Sequence, residues 1–229
     1  LQKTRKMVGA FWTVLLLIVG LALIGGLYIW FLVRHCRART FPTKSRRLMA
    51  VLGSGGHTTE MLELLRHFDV DKYPERTYVV AQTDTHSEEK MRVAEAALGP
   101  SGRFYIERIP RSREVGQSYL TSVFTTAHAI IYAFVIVYKH KPEVLVVNGP
   151  GTCIPICFAA AFFDLVRLTD TLIIYVESIC RVQRLSLSAA ILYFFGVADD
   201  VIVQWPELKD VYPRVKTIHE LTEMMGKQE

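Results

Sequence analysis

The sequence predicts an α/β body built on an open parallel sheet with helices on both faces, preceded by one N-terminal transmembrane helix. Three observations predict it. Short apolar runs alternate with helix-spaced segments through residues 48–213. Those runs are continuously apolar, as strands buried on both faces are, and short loops in a repeated β-α order argue for a doubly wound sheet. Residues 8–33 are 26 positions without a charged side chain. As a helix they would be about 39 Å long, enough to cross a hydrocarbon core of about 30 Å with some tilt. Trp12 lies near one end and Tyr28 and Trp30 near the other, where amphipathic aromatics suit the interface. The run ends in Arg34-His35-Cys36-Arg37 rather than a small-residue cleavage site, which separates it from a signal peptide.

The chain has 229 residues, with 27 Lys+Arg against 22 Asp+Glu and a formal charge of +5. The excess is local. Residues 1–47 hold nine basic residues and no acidic one, which leaves residues 48–229 with 18 against 22, a net of −4. A mildly acidic body speaks against nucleic acid as a partner. Six of the nine basic residues follow the apolar run and three precede it, so the positive-inside rule places the body in the cytosol. Cys36, Cys153, Cys157 and Cys180 show no disulfide spacing, and Cys153 and Cys157 lack the companions of a zinc site. Leu1 stands where an initiator Met would open a natural chain, so residues are expected to precede it.

In chain order, residues 48–52 are the first strand, ending in Gly53-Ser54-Gly55-Gly56. A helix follows, with Met61, Leu65 and Phe68 at helical spacing and Thr58 or Thr59 as its cap. Residues 77–81 are the second strand. Ser87 caps a helix running through Ala97, and residues 103–108 are the third strand. Residues 115–138 carry no formal charge with His128 neutral, but Gln117, Ser118, Thr121 and Ser122 make their first half too polar for a second span. They read as a long crossover helix, apolar in its second half and suited to rest on a bilayer. Residues 144–147 are the fourth strand, and Asn148-Gly149-Pro150-Gly151-Thr152 opens a helix to about Val166. Residues 171–176 and 201–203 are the fifth and sixth strands, with a helix over 186–195 between them.

In such sheets ligands bind beyond the carboxyl ends of the strands. That rule picks out the loops 53–57, 82–86, 110–114, 148–152 and 177–181. In the first, Gly53, Ser54, Gly55 and Gly56 let the backbone approach a ligand closely, and the helix behind them offers unpaired N–H groups to an anion such as pyrophosphate. A plain tight turn is the equal alternative. The loop departs from the dinucleotide fingerprint, since Thr58 occupies the third glycine position. Asp84 remains available as a ribose-binding acid, which keeps an NAD-dependent oxidoreductase as runner-up. Asn148, Gly149, Gly151 and Thr152 form a second turn of the same kind, and Arg108, Arg111 and Arg113 add cations on the same edge. Asp84 reads either as a catalytic base or as a capping residue, and His57 as phosphate ligand, proton relay or structural residue. Glu177 is placed to hold a sugar hydroxyl or to pair with Arg181.

The segments Leu52-Gly53-Ser54-Gly55-Gly56-His57-Thr58-Thr59-Glu60, Ile109 to Val115, Asn148 to Cys153, Tyr175 to Val182 and Val203-Gln204-Trp205-Pro206 together resemble one family. It is the membrane-anchoring subunit of the eukaryotic dolichol-pathway UDP-N-acetylglucosamine transferase, similar to the N-terminal, acceptor-binding half of a GT-B glycosyltransferase. The resemblance covers residues 48–213 and implies a Rossmann-like half of a GT-B fold, with donor binding supplied by a separate soluble subunit. It also implies the reaction: a second N-acetylglucosamine passes from UDP to N-acetylglucosamine-pyrophosphoryl-dolichol at the cytosolic face of the endoplasmic reticulum membrane. On these residues the acceptor pyrophosphate would meet Gly53, Ser54, Gly55, Gly56, Arg111 and Arg113. Asn148, Gly149, Gly151, Thr152 and Glu177 would meet the acceptor sugar or the partner subunit. The resemblance implies neither a metal nor a cofactor. Asp84 is the first choice of general base and His57 the second.

The organisation expected is therefore a lumenal stub over 1–7, a transmembrane helix over 8–33 and a basic linker over 34–47. A cytosolic acceptor-side body over 48–213 and a polar tail over 214–229 complete it. That tail does not match the family's usual short apolar ending, which leaves docking of the partner open. A passive tether with vestigial loops is the third reading.

Overall fold

The computed structural model describes residues 12, 15–16, 18–22, 25–26, 29–30, 47–98, 102–112, 119–149 and 151–226. The chain divides into two units, residues 1–38 and 39–229. In the first, the described positions are helical and include the exposed Trp12, Leu16, Ile18 and Leu21. The rest of the expected span over 8–33, with the stub before it and nearly all of the linker after it, lies outside the described residues. Among the described residues no helix is long and apolar enough to cross a membrane.

The second unit is organised by β1 (Arg47–Val51), whose residues 48–51 are buried. After it come α1 (Gly56–Leu65), β2 (Glu75–Ala81), α2 (Thr85–Ala97) and β3 (Arg103–Ile109). The long α3 (Tyr119–His140) then crosses back to β4 (Val144–Asn148), followed by α4 (Cys153–Leu165), β5 (Leu172–Val176), α5 (Leu187–Phe194) and β6 (Asp200–Val203). The short α6 (Leu208–Val211), β7 (Lys216–Thr217) and α7 (Ile218–Gly226) close the unit. The seven strands lie in the order β3-β2-β1-β4-β5-β6-β7, every neighbouring pair parallel. Sequence order therefore reverses between β1 and β4, and in a parallel sheet a crevice opens where it does.

Alternation along β1 explains the two layers of core. Leu48, Ala50 and Leu52 pack with Met61 and Leu65 of α1, Met91 of α2 and Leu221 of α7. Met49 and Val51 between them are also buried and point to the other face by the period of a strand. α3 and α4 pack on each other, with Phe134 of α3 within 5.2–5.4 Å of Phe162 and Phe163, centroid to centroid. Inside the first layer sits one charged cluster. Arg76 donates Nε and Nη2 to the two carboxylate oxygens of Glu95, each at 2.7 Å, and Nη1 to the carbonyl of Tyr73. Tyr78 donates its hydroxyl to the same carboxylate.

Several local expectations are corrected. No side chain caps α1: Gly55 is its N-cap, and Thr58 instead donates its hydroxyl to the Gly53 carbonyl and meets Ser87 Oγ at 2.6 Å. Asp84, not Ser87, caps α2, accepting from the Ser87 N–H at 3.0 Å. β4 runs one residue further than expected, to Asn148, and the turn after it leads into α4 at Cys153. A seventh strand follows the expected six, because Lys216 and Thr217 pair with Ile202 and Val203. Val215 and Leu221 are each 1% exposed, so residues 214–221 pack into the folded body, and the polar tail is helical over Ile218–Gly226.

Candidate active site

The crevice at the β1–β4 reversal is lined by the loop after β1 and the loop after β4, and glycine is what lets them meet. A Cβ on Gly53 would stand 2.7 Å from His57 Cβ and 3.3 Å from the Asn148 carbonyl oxygen. One on Gly149, where φ is +93°, would stand 2.9 Å from His57 Cγ. The His57 ring is thus seated directly against the backbone of the second loop. Gly55 and Gly56 behave differently: a Cβ on either would meet nothing within 4 Å. They border open space at the first turn of α1, whose N–H groups no capping side chain covers. Unpaired amides at the positive end of a helix dipole are suited to an anion. Thr58, at the third glycine position of a dinucleotide fingerprint, is fully buried and its hydroxyl is tied to Gly53 and Ser87, which removes the opening that fingerprint needs.

Arg111 stands on the rim of this cradle. Its Nε donates to Thr83 Oγ1 at 2.8 Å and its Nη2 to Ser54 Oγ at 3.3 Å, bridging the loops after β1 and β2. Arg113 lies outside the described residues. Arg108 is turned away: it pairs with Glu88 at 2.7 Å, which also holds Arg92. Hydrogen bonds from both arginines, Arg108 first, hold the Glu88 carboxyl below its usual range. Asp84 is 9% exposed and accepts from the Ser87 N–H at 3.0 Å and the Ser87 hydroxyl at 2.8 Å. Burial pushes its carboxyl up, but hydrogen bonds from Ser87 and Ser54 and the Arg111 charge outweigh that and hold it below the usual carboxylate value.

On the other side of the crevice a chain of polar contacts links three elements. His57 Nδ1 lies 2.8 Å from Asn148 Oδ1. Asn148 Nδ2 donates to Glu60 Oε2 at 3.0 Å, and Ser178 Oγ donates to Glu60 Oε1 at 2.9 Å. Asn148 and Glu177 are each 2% exposed. Asn148 is committed to His57 and Glu60, and the Glu177 carboxylate accepts from the backbone N–H groups of Ser178 and Ser186 at 3.0 and 2.7 Å, not from Arg181. Both are held in place by contacts within the protein. Thr152 is the N-cap position of α4 and makes no side-chain cap, while a Cβ on Gly151 would lie 3.8 Å from Ser112 Cβ, where the loops after β3 and β4 approach. Cys153, wholly buried behind that turn, has its thiol pushed up to about 12 by burial. Among the described residues no group of three or more His, Cys, Asp or Glu is placed to hold a metal ion.

The structure thus brings Gly53, Ser54, Gly55, Gly56, His57 and Arg111 together with Asn148 and Gly149. Glu60 and Ser178 are participants that the sequence motifs contained without a role. The legible signal was His57-x-x-Glu60, since residues three apart at the start of a helix share a face.

The family described as "Oligosaccharide biosynthesis protein Alg14 like" matches residues 48–221. A human protein named UDP-N-acetylglucosamine transferase subunit ALG14 is 44% identical over 194 residues, covering 82% of this chain and 88% of its own. The protein of that name from Yarrowia lipolytica is 47% identical over 171 residues, covering 74% and 78%. Among solved structures, Acinetobacter baumannii MurG matches 69% of this chain and 41% of its own with a TM-score of 0.48 at 16% identity.

Proposed function

Because this chain belongs to the Alg14-like family of oligosaccharide biosynthesis proteins, whose curated relatives are named as UDP-N-acetylglucosamine transferase subunits, we propose that it is the acceptor-side subunit of such a transferase. In this reading the apolar segment 8–33 anchors it in the endoplasmic reticulum membrane with the body on the cytosolic side. A soluble subunit binds the UDP-sugar and docks onto it, and the pair transfers N-acetylglucosamine to N-acetylglucosamine-pyrophosphoryl-dolichol. The observation that carries the proposal is the open glycine turn at the uncapped start of α1, with Arg111 on its rim. Backbone amides, a helix dipole and one guanidinium are what a pyrophosphate needs, and a polyprenyl tail needs an enzyme held at the bilayer.

Of the two candidate bases, Asp84 has both carboxylate oxygens engaged by Ser87 and a lowered pKa, which makes it a weak proton acceptor. His57 stands at the mouth of the crevice with 32% of its side chain exposed. The proposal therefore gives the proton transfer to His57: it takes the proton of the acceptor hydroxyl, the hydroxyl oxygen bonds to C1 of the donor sugar, and UDP departs with the electrons of the broken bond.

The test is a transferase assay on a short polyprenyl-pyrophosphoryl-N-acetylglucosamine, with this chain and a soluble donor-binding partner separately and together. Activity is expected for the pair alone, and Gly56→Ala or Arg111→Gln should raise the acceptor KM. Full activity of this chain without a partner, or an acceptor KM unmoved by both substitutions, refutes the proposal.

A further inference from the structure

We infer that Glu60 and Asn148 are positioning residues that hold His57 as the Nδ1–H tautomer and so leave Nε2 as the atom able to accept a proton. The inference rests on the transferase reading and deepens it. Three contacts have donor and acceptor roles that are not interchangeable. An ionised carboxylate only accepts hydrogen bonds, so the Asn148 atom 3.0 Å from Glu60 Oε2 is the amide nitrogen. That assignment turns the Asn148 carbonyl oxygen toward His57, 2.8 Å from Nδ1. An amide oxygen also only accepts, so Nδ1 carries the proton. Ser178 fixes the far end, donating its hydroxyl to Glu60 Oε1 at 2.9 Å.

The steric setting gives the tautomer a fixed direction. The ring lies against the Gly149 backbone, where a Cβ would come within 2.9 Å of Cγ and 3.1 Å of Cδ2. Gly53 closes in behind, where a Cβ would come within 2.7 Å of His57 Cβ. With Nδ1 anchored to Asn148, Nε2 is the ring nitrogen left for a ligand, and among the described residues nothing hydrogen-bonds it. Asn148 is 2% exposed, so the amide that sets the tautomer is itself held inside the protein. The same residues take no part in the acceptor cradle at Gly55 and Gly56, which separates proton transfer from anion binding.

The experiment combines spectroscopy and kinetics on the full chain with its partner. Nitrogen-15 imidazole correlation spectra, with His57→Gln identifying the signal, read the tautomer directly. Wild type is expected to show Nδ1–H. Glu60→Ala frees the Asn148 amide to turn its NH2 group toward His57, so it should populate the Nε2–H form and lower kcat about 10- to 100-fold, a part of the roughly 10²–10⁴-fold a positioned base contributes. The acceptor KM should stay within about twofold. Glu60→Gln keeps an amide oxygen for Asn148 and should recover most of both the tautomer and the rate, which separates positioning from loss of fold. An active wild-type pair with Nε2–H at His57, or Glu60→Ala with unchanged kcat, overturns the inference. An inactive wild-type pair overturns the transferase reading instead.

Discussion

Replacing Glu95 with alanine should destabilise the body severely, and the reason lies entirely in what is left behind. Arg76 and Glu95 are each 4% exposed, and the carboxylate takes two hydrogen bonds of 2.7 Å from the guanidinium as well as one from Tyr78. The hydrogen bond to Glu95 is also the largest reason the Arg76 pKa is raised, and burial pushes the Tyr78 phenol up. Removing the carboxylate leaves a buried cation without the charge that balances it, with the Tyr73 carbonyl at 2.9 Å among the acceptors that stay. Breaking a buried pair in this way costs about 3–5 kcal/mol. For a body of this size that corresponds to a fall in Tm of about 6–20 °C. Thermal unfolding of the full chain, followed by circular dichroism, measures it. The double variant R76M/E95L should lose much less, because apolar side chains of similar length leave no charge unpaired. A loss below about 1 kcal/mol for Glu95→Ala, or an equal loss in the double variant, would refute the reasoning.

Gly149→Ala should combine the roughly 1–2 kcal/mol of a left-handed backbone with displacement of the His57 ring, lowering both Tm and kcat; retained kcat would show that ring placement is not limiting. Gly56→Ala is the counterpart, since its Cβ meets nothing within 4 Å: Tm should hold while the acceptor KM rises. Asp84→Asn keeps an oxygen for the Ser87 N–H, so turnover should remain within about threefold, whereas Asp84→Ala should cost about 1 kcal/mol of helix capping in a denaturant titration. The Glu220 carboxyl, held at about 2 by Lys209 first and by the Thr217 N–H, starts from an ordinary value of 4.5. Its folded pKa is depressed, so its contribution is whole above about 4.5 and is lost as pH falls toward 2. Amide exchange in α7 should quicken over that window, and Glu220→Gln should abolish the dependence.

Legibility in the sequence followed how local each interaction is. The strands at 144–148 and 172–176 were readable because both faces are buried and every residue is apolar or at a strand end. β7 was not, being two polar residues whose strand character comes only from pairing with β6. Its sequel did carry a signal: Thr217-x-x-Glu220 is a capping box, and Glu220 Oε2 accepts from the Thr217 N–H at 2.6 Å while Thr217 Oγ1 accepts from the Glu220 N–H at 3.4 Å. The same residue type misled at α2, where Ser87 looked like the cap and Asp84, three residues earlier, fills that place. In the site, the loops were found individually by the strand-end rule. What brings the loops after β1 and β4 against each other is the reversal of strand order, and no local pattern encodes that. The commitment of Asn148 to His57 and Glu60 follows from it, and is equally absent from any local pattern.

The same reversal has a consequence for the growing chain. One flank of β1 is served by β2, which follows within a short stretch; the other belongs to β4, whose last residue is synthesised about 100 residues later, or about 5–20 s at ordinary translation rates. During that interval the emerging β1-α1-β2-α2-β3 half presents an unsatisfied row of backbone amides and carbonyls beside Met49 and Val51, which the finished molecule buries completely. A ribosome stalled between β3 and β4 would therefore hold a sticky half-sheet, and chaperone occupancy on this chain should peak there and fall once Asn148 has emerged.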